Sequence, residues 1–146
     1  MRCEKDYMEP PKTILFVKCN QPIPDPSPDL SGALSRLGHQ VLVADISEIE
    51  NVVDRYHPVL AIASLPGAPE TDLPLCLRLL RAISAPVIVI SPLDDVNSRI
   101  AAFNAGIEDY LISPINPLVI VARVKNILRR RSQKTALQKN PYLLYK

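Results

Sequence analysis

The sequence predicts an α/β fold: a doubly wound, five-stranded parallel sheet in the order 2-1-3-4-5, with five helices over its faces. Three observations predict it. Short apolar runs rich in β-branched residues alternate strictly along the chain with amphipathic stretches. The runs are continuously apolar, as expected for strands buried on both faces of a parallel sheet. Right-handed crossovers between such strands leave few topologies, and the order 2-1-3-4-5 places a crevice at the carboxyl ends of strands 1 and 3.

The elements follow in order. Residues 1–12 are polar and end in Pro-Pro-Lys, which reads as a flexible leader. Thr13–Val17 is the first strand, and the proline-punctuated stretch from Cys19 to Ser27 is a loop. Ser27 and Pro28 start a helix with Leu30, Leu34 and Leu37 on one face, ended by Gly38. Gln40–Ala44 is the second strand. Asp45 or Ser47 caps a helix that turns Ile46, Ile49, Val52 and Val53 inward. Val59–Ala63 is the third strand, ending at Ser64. After the loop Leu65–Glu70, Thr71 caps a helix carrying Leu73, Cys76, Leu77 and Leu80. Val87–Ile90 is the fourth strand. Asp94 caps a helix whose apolar positions Val96, Ile100 and Phe103 fall at helical spacing, and Gly106 ends it. Tyr110–Ile112 is the fifth strand. Asn116-Pro117 starts the last helix, which runs to about Arg130 with Val121, Val124, Ile127 and Leu128 as its buried stripe.

Composition bounds the function. A chain of 146 residues, 47% of them hydrophobic, can bury one sizeable core. The formal net charge of +2 does not by itself indicate a nucleic-acid partner. No apolar run is long enough to span a bilayer, and the first residues lack a signal-peptide hydrophobic region, so the expectation is a cytoplasmic protein without membrane contact. Three cysteines, Cys3, Cys19 and Cys76, have no metal-ligand spacing, and an odd count is no disulfide framework. The 15 prolines against 4 glycines sit largely at loops and helix starts, where proline restricts the unfolded chain.

Several motifs carry a resemblance. They are Gly38-His39-Gln40-Val41, His57-Pro58-Val59-Leu60, Ala85–Ser91, Ala105–Pro117 and Ala122–Arg130. Together they resemble the receiver domain of two-component response regulators, over about residues 13–131. The resemblance implies the flavodoxin-like receiver fold and a known arrangement of functional positions. In that family two acids after strand 1 hold magnesium; here the matching residues are Lys18 and Cys19. A lysine puts a positive charge where the cation would sit, and a thiol is a soft ligand that suits magnesium poorly. The phosphoryl-accepting aspartate that ends strand 3 is Ser64, and the lysine after strand 5 is Ser113. Only the strand 4 hydroxyl is kept, as Ser91. Four of the five positions therefore depart together, and neither a metal nor another cofactor is expected.

The resemblance therefore implies an atypical receiver, a pseudo-receiver, that does not use aspartyl phosphorylation and is not an enzyme. Phosphoryl transfer needs positioning and charge neutralisation around the nucleophile, and those residue types are missing. Ser64 as an alternative acceptor would need a base and a cationic clamp. Asp25 and Asp29, in the loop after strand 1, are alternative acids if the loop folds back; the plainer reading is a solvated loop acid and a first-turn helix acid. Lys18 either enters the emptied site and pairs with Asp94 or another carboxylate, or snorkels to solvent. Cys19 is either a redox sensor or a small buried hydrophobe. Tyr110 matches the family's switch aromatic, which swings inward when the strand 4 hydroxyl is drawn to the phosphoryl group; the plainer reading is a partly buried strand aromatic with a solvated hydroxyl.

The resemblance also implies an interaction face. Arg99, Glu108, Asp109, Val119, Arg123 and Lys125 map to the surface of helix 4, strand 5 and helix 5, through which winged-helix response regulators form two-fold dimers. Asp109 is expected to pair with Arg123 of a second copy, and Val119 stands where the family has an acid. Residues 132–146 read as a linker or tail whose end, Pro141–Lys146, is similar to the opening of a winged-helix output domain. DNA contact would then lie outside this chain. Competing readings are a stand-alone adaptor for a kinase or another regulator, and a small-molecule-binding or enzymatic domain on the same fold. Against the latter, the loops carry no glycine-rich phosphate cradle and no paired acid and base.

Overall fold

The computed structural model describes residues 12–19 and 28–139. The proposed leader up to residue 11, the loop carrying Asp25, and Pro141–Lys146 lie outside the described residues. The strands are β1 (Lys12–Lys18), β2 (His39–Asp45), β3 (Leu60–Ser64), β4 (Val87–Ser91) and β5 (Asp109–Ile112). The helices are α1 (Pro28–Arg36), α2 (Ile49–Tyr56), α3 (Pro69–Ala82), α4 (Val96–Ala105) and α5 (Pro117–Lys139), with a 3-10 turn at Ile46–Glu48 before α2. All four strand pairings are parallel and the order is β2-β1-β3-β4-β5.

Alternation along the central strands builds two cores. Leu15, Val17, Ala61, Ala63, Val87 and Val89 face α2, α3 and α4, where Ile49, Cys76, Leu79 and Ala102 complete one cluster. Ile14, Phe16, Leu60, Ile62, Ile88 and Ile90 face α1 and α5, and meet Leu30, Leu34, Ile120, Val124 and Ile127. Each fully buried side chain of this size contributes about 1.5–3 kcal/mol. Consecutive residues of one strand thus belong to different cores, which is why the runs are apolar without alternation.

Several local expectations are corrected. β1 begins at Lys12, inside the stretch read as leader. Leu37 is exposed, because α1 ends at Arg36 and the chain turns through Gly38. α3 starts at Pro69, not at Thr71, with proline at its first position. Its buried face is Asp72, Cys76 and Leu79, and Leu77 points to solvent. α4 is capped by Asp95, whose Oδ2 accepts from the Ser98 amide at 2.9 Å; Asp94 instead pairs with Arg99 at 3.2 Å. Asp95 has the extended conformation of a cap residue, so its carboxylate reaches the third amide of the helix. α5 runs on to Lys139 rather than ending near Arg130.

The largest correction is the apolar stripe of α4. Val96, Ile100 and Phe103 are 58%, 51% and 44% exposed. The buried residue of α4 is Ala102. α4 packs on α3 and β5 with its alanine face, whose small side chains let it lie close, and the larger residues are left outside.

Candidate regulatory site

The carboxyl ends of β1, β3 and β4 meet at one edge of the sheet. Lys18 lies opposite Ser64 in the β1–β3 register, and Ser64 lies opposite Ile90, the residue before Ser91. Ser91 lies opposite Ile112, next to Ser113, whose amide donates to the Ser91 carbonyl at 3.0 Å. The five positions singled out in the sequence, Lys18, Cys19, Ser64, Ser91 and Ser113, are therefore brought to one end of the sheet. Their exposures differ. Ser91 and Cys19 are buried, while Lys18, Ser64 and Ser113 are half-buried. Asp29 is exposed in the first turn of α1.

The residue types do not suit a magnesium ion. A hard divalent cation selects several anionic oxygens, and the strand ends offer an ammonium, a thiol and hydroxyls. Among the described residues, no group of three or more His, Cys, Asp and Glu is placed to hold a metal.

A buried carboxylate that sequence reasoning passed over lies at this edge. Asp72, in the first turns of α3, is 3% exposed. Its Oδ1 accepts from the Gly67 and Ala68 amides at 2.9 and 3.2 Å, and its Oδ2 accepts from the Ser91 hydroxyl at 2.7 Å. The Ser91 oxygen in turn accepts from the Leu93 amide at 3.1 Å. Gly67 makes the arrangement possible. Its φ is +101°, and a Cβ there would collide with the ring of Pro92, so the loops after β3 and β4 touch at this point. The available signal was Gly67 placed five residues before an acid in a helix's first turns, which reads equally well as favourable dipole charge.

Tyr110 points inward. It is buried in the α2–α3–α4 core, and its hydroxyl donates to the Leu93 carbonyl at 3.2 Å. Burial pushes its phenol above the usual range, opposed by the nearby Ser91 hydroxyl. Burial also pushes Cys19 up to about 12, helped by Cys76 and by the carboxylates of Asp45 and Asp72 and opposed by Arg78. Cys76 is likewise pushed up to about 12, by burial first and then by Asp72. Both side chains are small members of the core cluster.

On the outer face, Arg99 pairs with Asp94, and Arg123 with Asp109 of the same chain, both at 3.2 Å. Glu108 and Lys125 are exposed. Leu118 and Val119, at the start of α5, are 68% and 39% exposed. With the α4 stripe they place five exposed apolar side chains on the two helices that flank β5.

Known proteins resemble this chain along most of its length. The "Probable transcriptional regulator ycf27" of Porphyridium aerugineum is 31% identical over 102 residues, 69% of this chain and 42% of that protein. The crystal structure of the activated N-terminal receiver domain of Klebsiella pneumoniae RstA is 25% identical, with a TM-score of 0.61 over 81% of this chain and 99% of that one. A two-component response regulator from Clostridium difficile matches with a TM-score of 0.65 at 24% identity, over 82% of this chain and 98% of that one. No protein-family model matches. The chain spans less than half the length of the curated relatives it matches.

Proposed function

We propose that this chain, which has the response-regulator receiver fold and transcriptional response regulators as its relatives, is a receiver that regulates without aspartyl phosphorylation. It acts by protein–protein contact, as a cytoplasmic regulatory domain that dimerises and controls a DNA-binding output domain outside these 146 residues. The observation that carries this reading is the pairing at the strand ends. Ser64 stands at the acceptor position, with Lys18 beside it instead of a metal-binding acid. A lysine at that point repels the cation that phosphoryl transfer needs, and a serine hydroxyl is a poor nucleophile unless a base activates it. Among the described residues, no helix is long and apolar enough to cross a membrane.

The test is a titration of the isotope-labelled chain with magnesium and beryllofluoride, followed by NMR. The expected result is an unchanged spectrum. Saturable shifts centred on Ser64 and Leu65 would overturn the reading. The adaptor reading differs in its output: an adaptor binds a kinase or another regulator with no DNA-binding domain of its own. An open reading frame continuing past Lys146 into a helix-turn-helix pattern decides against it.

A further inference from the structure

We infer that Asp72 is a positioning residue: its carboxylate serves as an internal anionic ligand that fixes Ser91 and, through the Leu93 peptide, Tyr110 and the approach to α4. The inference rests on the phosphorylation-independent reading above and supplies what holds such a receiver in one state.

The hydrogen bonds have a fixed direction. An ionised carboxylate only accepts, so the single Ser91 hydroxyl proton is directed at Asp72 Oδ2. The Ser91 oxygen is then free to accept from the Leu93 amide. The Leu93 carbonyl accepts from the Tyr110 hydroxyl. The Leu93 peptide is thus held at both ends, by β4 through Ser91 and by β5 through Tyr110. Two residues later Asp95 caps α4, the helix with the exposed apolar stripe. One carboxylate on α3 therefore orients a chain of bonds that ends at the buried Tyr110 hydroxyl, and the Leu93 it fixes lies two residues before the cap of α4.

Burial makes the arrangement specific. A carboxylate at 3% exposure is tolerated only if its oxygens are satisfied, and those of Asp72 receive three donors. Two of these, Gly67 and Ala68, belong to the loop before α3 and would suffice for a loop cap. The third comes from a side chain on another strand. Its 2.7 Å bond is shorter than either backbone bond. A loop cap has no need of Ser91, and this difference makes the inference testable.

The experiment compares wild type, Asp72→Asn and Ser91→Ala as the full chain. It reads the Tyr110 ring signals by NMR and the hydrogen exchange of the Leu93 amide. Wild type is expected to give one set of buried ring signals and a protected Leu93 amide. In both variants the ring signals move toward those of free tyrosine, and Leu93 exchanges about tenfold faster or more. Amides of β1 and β3 keep their protection and report that the sheet is intact. Ser91→Ala retains the bonds from Gly67 and Ala68, so an unchanged Tyr110 in that variant limits Asp72 to capping its own loop and overturns the inference. If Asp72→Asn does not fold, Ser91→Ala decides alone. Failure here is separate from failure of the phosphorylation-independent reading, which is judged only by the response of wild type to beryllofluoride.

Discussion

Cys19 at the end of β1 and Cys76 on α3 lie in one core cluster, and burial holds both as thiols. A redox sensor needs a thiolate, so the environment of Cys19 favours its reading as a small hydrophobe. The same shift sets a pH dependence. Unfolded thiols ionise near 9.0, whereas the folded ones hold their protons up to about 12. In that window the folded state binds more protons than the unfolded state, so stability is lost as pH rises through it. Tyr110, also raised, acts in the same direction at the upper end. Urea unfolding is expected to give a lower stability at about pH 10 than at about pH 7, with a shallower fall in the double variant Cys19→Ala, Cys76→Ala. Equal slopes for the two proteins would place the pH dependence on other groups.

The helices α4 and α5 carry the surface that most resembles an interface. The charged residues there are already engaged within the chain, Arg99 with Asp94 and Arg123 with Asp109. A second copy could exchange those pairs, but exposed ion pairs contribute little. The apolar stripe contributes more: burying an exposed side chain of this kind stabilises by about 1.5–3 kcal/mol. A two-fold dimer through α4, β5 and α5 is therefore proposed, with affinity only weakly dependent on salt. Sedimentation equilibrium of wild type, Phe103→Ser and Val119→Glu, at low and high salt, tests it. Either substitution is expected to weaken association about tenfold or more while leaving the fold intact. A wild type that stays monomeric at high micromolar concentration refutes the dimer. A dimer indifferent to both substitutions lies on another face.

At the scale of the whole molecule, β1, β3 and β4 supply most of the strand side chains in both cores, while the edge strands β2 and β5 supply fewer buried ones. Leu15, fully buried on β1, and Leu77, exposed on α3, are chemically identical and differ in burial. Leu15→Ala is expected to cost about 2–5 kcal/mol by chemical denaturation, through lost transfer energy and an uncollapsed cavity. Leu77→Ala is expected to fall within about 0.5 kcal/mol of wild type. Comparable losses at the two positions would mean that Leu15 and Leu77 do not differ in packing.

The strands and their order were legible in the sequence, because continuous apolar runs and their alternation with amphipathic stretches leave few topologies, whereas the five positions at their carboxyl ends came with the resemblance to receivers. The motifs around Ala85–Ser91 and Ala105–Pro117 then set the positions of Ser91, Tyr110 and Ser113. Local capping chemistry was less legible: Asp94 and Asp95 are equivalent by composition, and only the backbone angles select the second. The side on which α4 meets the sheet was not legible at all. Val96, Ile100 and Phe103 have the period of a buried stripe, but periodicity reports that one face is apolar, not what covers it. Asp72 was decided entirely by tertiary structure. Its partner Ser91 is 19 residues away on another element. An acid in the first turns of a helix is favourable wherever that helix lies; its meeting with a strand-end hydroxyl depends on how α3 packs across β3 and β4, which no local pattern encodes.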